Sequence, residues 1–284
     1  QDLEFNKIEI QFPQEFIEIR VLLSRLYNNF VDQLKSRNLL FGHANKISLL
    51  KAQKNLALQA NKGNGNAMYG LSLTAQAIKL SHALELLETQ TLLGLKNYMR
   101  NLMKQAEEKK SKGVQRLVKT PEFNAAFLSL THLLGSNKEH PKINKASELV
   151  AKELQENEKA KILIFTQFRE TANVILEKIK SIENAKPSVF IGQAKKESGG
   201  MSQKEQKSII EQFKQGTINV LIATSRGEEG LDIPEVNSVL FYEPISSAIR
   251  KFERAGRTAR HAPGKLFILI TKGTKDEISH YTAN

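Results

Sequence analysis

"KILIFTQFRETANVILEKIK", residues 161–180, changes its period part-way through. The first seven residues form an apolar run too short for a helix, which predicts a strand buried on both faces. "FRETANVILEKIK" then sets its apolar residues at helical spacing. The alternation continues downstream. "PSVFIG" (187–192) predicts a strand. "MSQKEQKSIIEQFKQG" (201–216) predicts a helix that opens on a Ser202–Glu205 capping box and closes at Gly216. "INVLIAT" (218–224) and "SVLFYE" (238–243) predict strands, "ISSAIRKFERAG" (245–256) a helix and "KLFILIT" (265–271) the last strand. Strands apolar throughout and separated by helices indicate an α/β fold with a parallel sheet covered on both faces.

Upstream of about residue 140 the pattern is different. After one strand-like run, "IEIQF" (8–12), the periodicity is helical. Phe16, Ile19, Leu23, Leu26, Phe30 and Leu34 follow the three-four spacing of an amphipathic helix, with Pro13 at its start. A second helix is expected over 45–60, a flexible connector at "KGNGNAMYG" (62–70), and a long helix through Ile78, Leu80, Leu84 and Leu87. Gly94 is expected to interrupt the next periodic stretch. "TPEFNAAFLSLTHLL" (120–134) predicts a helix capped by Thr120 with Pro121 in its first turn. The expected organisation is a strand segment (1–13) belonging to or leading into the α/β domain, an all-helical insertion (14–138), and the α/β domain itself (139–284).

The 284 residues carry a net charge of +12, an excess that favours polyanionic partners, nucleic acid above all. There is no cysteine, which excludes disulfides and thiolate metal sites and fits a reducing, cytoplasmic setting. No apolar run approaches a membrane span. The first residue is Gln1 rather than Met, so a fragment of something longer is expected. His82 and Glu85 lie one turn apart without a third ligand, so no metal site is expected.

In open parallel sheets, ligands bind beyond the carboxyl ends of the strands. "FTQFRET" and "ATSRGEEGLDIP" follow strands directly, and "RAGRTAR" ends the helix after a third; all three are expected to line one edge. Arg254, Arg257 and Arg260 recur at spacing three. Arginine offers a fixed fork of donors suited to phosphate and cannot lose its charge. Spacing alone does not separate a phosphate site from a solvated face paired with Glu228, Glu229 or Glu253. In "ATSRGEEGLDIP" (223–234), Gly227 and Gly230 permit close backbone approach, Asp232 can accept from ribose hydroxyls, and Thr224 can donate to a phosphate.

Taken together, "KILIFTQFRETA", "VLIATSRGEEGLDIPEVNSVLFYEP" and "ERAGRTAR" resemble motifs IV, V and VI of the second RecA-like domain of a superfamily 2 helicase. "GEEGLDIPEV", "FYEPISSAIR", "KGTKDE" and "HALELLETQ" (82–90) resemble the archaeal Hef family, related to the Fanconi-anaemia M and Mph1 translocases. The resemblance runs from about residue 3 to 282.

The resemblance implies that Arg257 and Arg260 act as arginine fingers on the terminal phosphate of ATP. Gly230, Asp232, Glu253 and Arg254 then line the nucleotide. Thr166, Gln167, Arg169, Gly192, Gln193, Thr224 and Ser225 match positions that touch the nucleic-acid backbone. Two positions depart from motif VI, usually written QRxGRxGR. Glu253 stands for the usual Gln and brings a carboxylate near phosphates unless Arg250 or Arg254 neutralises it, and Ala259 replaces the second glycine. No G-x-x-x-x-G-K-[ST] and no acidic box occur, so the groups that hold ATP and Mg²⁺ are expected on a first RecA-like domain of the same polypeptide.

Residues 96–119 hold eight basic side chains against two acidic ones, a net +6 of the +12. Lys96, Arg100 and Lys104 recur every four residues as one stripe suited to phosphate contacts. In the Hef family the helical insertion is thumb-like and associated with branched DNA. The expectation is the C-terminal half of an ATP-dependent DNA translocase for replication-fork repair, inactive alone and nucleoid-associated in an archaeal cytoplasm. A nuclease domain or a sliding clamp are expected partners of the full-length protein. Two other readings stay open: a motor on double-stranded RNA, and a non-catalytic nucleic-acid-binding module.

Overall fold

The computed structural model describes residues 3–192, 200–224, 235–258 and 263–282, with side chains through 254 and 280 in the last two segments. The chain divides into two compact units. One comprises Gln1–Phe12, Glu88–Thr91 and His140–Asn284; the other comprises Pro13–Leu87 and Leu92–Glu139.

The first unit is built on six parallel strands: β1 (Glu4–Ile10), β2 (Ile162–Thr166), β3 (Pro187–Phe190), β4 (Val220–Thr224), β5 (Ser238–Phe241) and β6 (Lys265–Thr271). They lie in the order β1-β6-β5-β2-β4-β3. Alternate side chains of each strand feed two cores. Leu163, Phe165, Leu221, Ala223, Val239, Phe241, Leu266 and Ile268 point to one face. There they meet Phe213 of α9 (Gln203–Gln215), and Ala248 and Phe252 of α10 (Ser246–Thr258). Ile162, Ile164, Val220, Ile222, Leu240 and Leu269 point to the other. They meet Ile143, Val150 and Leu154 of α7 (Pro141–Glu156), and Ala172, Ile175 and Ile179 of α8 (Arg169–Ile179). β2, β4 and β5 are buried at every position, which explains why they read as apolar without alternation, whereas the edge strands β1 and β3 are partly exposed.

Local signals set the helix ends. The Ser202 hydroxyl accepts from Glu205 N–H at 3.1 Å to start α9, and Gly216 ends it at φ +84°, a conformation a side chain would strain. After β6 the chain turns into α11 (Lys275–Thr282).

The second unit contains α1 (Gln14–Ser36), α2 (Lys46–Ala60), most of α3 (Gly65–Thr89), α4 (Leu92–Glu107), α5 (Lys112–Val118) and α6 (Pro121–Gly135). Leu34 of α1, Leu49 of α2, and Leu73 and Ala77 of α3 share a buried cluster. Thr120 caps α6 by accepting from Phe123 N–H at 3.3 Å, with Pro121 in the first turn. Two glycines behave differently from expectation. The connector expected over 62–70 is helical from Gly65 onward. A Cβ at Gly70 would meet Leu39 Cδ1 at 2.7 Å, so this glycine serves helix packing rather than a loop. Gly94 lies buried in the first turn of α4 and interrupts nothing.

Candidate functional site

The chain leaves β2 toward β3 on one side and β5 toward β6 on the other, so the direction of connection reverses between the adjacent strands β2 and β5. The turn from β2 into α8 therefore lies at the place where open α/β sheets accept ligands. Thr166 ends β2, Gln167 is exposed, Phe168 and Arg169 are half-buried, and Thr171 is buried in the first turn of α8.

A buried polar layer lies behind this turn. The Glu243 carboxylate, just past β5, accepts from the Gln167 N–H and from the Thr166 hydroxyl at 3.3 Å. Its second oxygen has no hydrogen-bond partner among the described residues. Burial pushes the Glu243 carboxyl up to about 7, against the opposing pull of Lys142 and the Gln167 N–H. Lys142 is itself fully buried. It pairs with Asp276 at 2.7 Å, donates to the Thr89 carbonyl at 3.0 Å, and sits 5.0 Å from the Tyr242 ring centroid. Burial raises Asp276 even with that lysine beside it. Burial, reinforced by Lys142, drives the His140 imidazole down to about 3, and the ring bonds the Glu88 carbonyl at 2.9 Å.

Periodicity gave no sign of the tetrapeptide Glu88–Thr91, which joins α3 to α4 yet belongs to the sheet unit. The Glu88 carboxylate accepts from Lys275 N–H at 3.0 Å, and the Gln90 carbonyl accepts from the Tyr242 hydroxyl at 2.6 Å. The Gln90 side-chain oxygen accepts from both Thr166 (3.2 Å) and Thr171 (2.8 Å). Its amide nitrogen donates to the Thr89 hydroxyl at 3.0 Å. The available signal was compositional: an apolar helix ends in Glu-Thr-Gln-Thr, all of it buried, without a glycine or proline.

The residues singled out by sequence fall in several places. Thr166 and Thr224 face each other in register on β2 and β4, and both are buried. The Thr166 hydroxyl is spent on Gln90 and Glu243, which leaves Gln167 and Arg169 as the accessible members of their turn. Gly192 is buried after β3. Gln193, Ser225, Gly230, Asp232 and Arg260, the side chain of Arg257, and Ala259 lie outside the described residues.

Glu253 and Arg254 are exposed on α10. This helix starts at Ser246, beyond the carboxyl end of β5, and runs back along the sheet. Glu253 and Arg250 line a cleft of about 180 Å³ with Phe5 and Lys7 of β1. Lys96, Arg100 and Lys104 all lie on α4, the first half-buried and the other two exposed.

For a nucleoside triphosphate, the described residues offer exposed guanidinium groups at Arg250 and Arg254 but no glycine-rich lysine loop to cradle phosphates. No group of three or more His, Asp or Glu suited to a metal occurs among the described residues. Among the described residues no helix is long and apolar enough to cross a membrane.

Residues 142–262 match the family "Helicase conserved C-terminal domain", and residues 15–140 match "Putative ATP-dependent RNA helicase, helical bundle". The crystal structure of the Pyrococcus furiosus Hef helicase domain superimposes with a TM-score of 0.85 at 36% identity. It covers 100% of this chain and 58% of that one. The chain belongs to the Hef-like superfamily 2 helicases. Curated relatives of this Hef-like chain include a "Putative ATP-dependent RNA helicase" of Methanocaldococcus jannaschii, 40% identical over 75% of this chain. Another is the "ATP-dependent DNA helicase mph1" of Aspergillus niger, 30% identical over 94%. The chain spans 26% of the length of each, so it corresponds to about a quarter of those relatives. Its sheet unit is the helicase C-terminal RecA-like domain, and its helical unit is the bundle set into it.

Proposed function

We propose that this chain is the C-terminal half of the motor of an ATP-dependent DNA translocase that works on forked or branched DNA in replication-fork repair. The observation that carries the reading is the match of the whole of this chain to 58% of the Hef helicase domain, a sheet unit interrupted in sequence by a helical bundle, in a sequence without a phosphate-gripping motif. Arg257 and Arg260 serve as fingers toward ATP and Mg²⁺ held by a first RecA-like domain. Arg254, Glu253, Gly230 and Asp232 line the nucleotide. Gln167, Arg169, Gln193 and Ser225 meet the nucleic-acid backbone, with Thr166, Gly192 and Thr224 shaping the turns that carry them. The stripe on α4 adds phosphate contacts, in a stretch (96–119) with eight basic residues against two acidic ones. A nuclease domain or a sliding clamp would complete the assembly.

A double-stranded-RNA motor is the second reading, because the matching bundle family and one relative carry RNA helicase names. Competition against a fluorescent forked DNA separates them. Unlabelled fork should displace the probe at far lower concentration than duplex RNA of equal length. The reverse order overturns the DNA assignment.

A further inference from the structure

We infer that Gln90 is a positioning residue for the nucleic-acid contact made by the turn between β2 and α8. The inference rests on the proposed role of Gln167 and Arg169 in that contact and deepens it. One amide oxygen accepts two hydroxyls from residues five apart: Thr166, the last of β2, and Thr171, in the first turn of α8. Gln90 therefore closes the turn from behind, and the turn it closes carries the exposed Gln167 and, at the start of α8, the half-buried Arg169. Glu243 supplies the second fastening by accepting the Gln167 N–H.

The clamp is itself held in place. The Tyr242 hydroxyl fixes the Gln90 carbonyl, Thr89 takes the amide nitrogen, and Glu88 and Thr89 are tied to Lys275, His140 and Lys142. Residues held on several sides in a dry layer cannot shift individually, so the turn's geometry follows Gln90. The same residue sits two positions before α4, the helix bearing Lys96, Arg100 and Lys104.

The test is a mutant cycle on forked-DNA affinity, measured by fluorescence anisotropy with the complete protein. Gln90→Leu should weaken binding roughly tenfold, about the loss from Gln167→Ala with Arg169→Ala. In a background already carrying those two alanines, Gln90→Leu should have almost no further effect. In a background with Lys96, Arg100 and Lys104 neutralised, its effect should persist in full. An effect of equal size in both backgrounds, or no effect at all, overturns the inference. Loss of the underlying reading looks different: Gln167→Ala with Arg169→Ala would then leave affinity unchanged in the parent protein. If Gln90→Leu does not fold, Thr171→Val removes one arm of the clamp and must show the same background dependence, and its absence counts equally against the inference.

Discussion

Glu243 shows how a single buried group makes stability depend on pH. Its ordinary value near 4.5 is raised to about 7 in the fold. Between those values the folded chain keeps a proton that the unfolded chain releases, so stability falls as pH rises through that window and levels off above it. His140 works in the opposite sense. Its value drops from 6.5 to about 3, so its contribution is present above 6.5 and is lost as pH falls toward 3. The two nearly offset one another where their windows overlap. Glu243→Gln keeps an acceptor for the Gln167 N–H but has no charge to desolvate. Relative to the parent, the variant should gain roughly 3 kcal/mol as pH moves from 4.5 to 7, read by urea unfolding at each pH. A difference independent of pH would place the titration elsewhere. Lys142 carries a second prediction. Lys142→Met strands Asp276 in a dry site and should cost about 3–5 kcal/mol, whereas adding Asp276→Asn should recover much of that loss.

Among the elements, α4 separates packing from function along its own length. Leu92, Leu95, Met99 and Leu102 are buried, while Arg100 and Lys104 are exposed on the other side. Its start is fixed by Glu139, whose carboxylate accepts from Leu92 N–H and from Leu93 N–H at 3.1 Å, a negative charge at the positive end of a helix. Neutralising Lys96, Arg100 and Lys104 should therefore leave thermal stability nearly unchanged. It should also lower the slope of log affinity against log salt by roughly 0.9 for each phosphate no longer neutralised. An unchanged slope removes the stripe from the DNA interface. In α10 the same division is visible. Ala248 and Phe252 pack on the sheet, and Arg250, Glu253 and Arg254 remain outside.

For the whole molecule, the prediction concerns activity. The purified 284-residue chain should show no DNA-stimulated ATP hydrolysis, because no sequence in it can cradle a triphosphate. In the complete protein, Arg257→Ala or Arg260→Ala should lower turnover by about 10³-fold or more while leaving DNA affinity largely intact. Turnover by the isolated chain contradicts the half-motor reading, and parallel loss of both activities turns those arginines into DNA or folding contacts.

Much of this organisation was legible in the residues. Apolar runs such as "ILIF" and "VLIA" gave every strand of the sheet unit after residue 140, because a strand dry on both faces has no polar alternation to obscure it. Ser202, Gly216, Thr120 and Pro121 marked helix ends through bonds made within a few residues. Gly70 misled because a glycine's role depends on what packs against it, and its neighbours Leu39 and Leu56 are distant in sequence. The burial of Thr166 and Thr224 was equally invisible, since a residue type shows what a side chain can bond but not what it meets. The sequence alone determined the period of each element, the charge and the motif spacing, all of which are local or additive properties. Only the tertiary structure brought Gln90 to Thr166 and Thr171 and Lys142 to Asp276, because those pairings join residues far apart in the chain and come from the burial of a polar layer that no local pattern records.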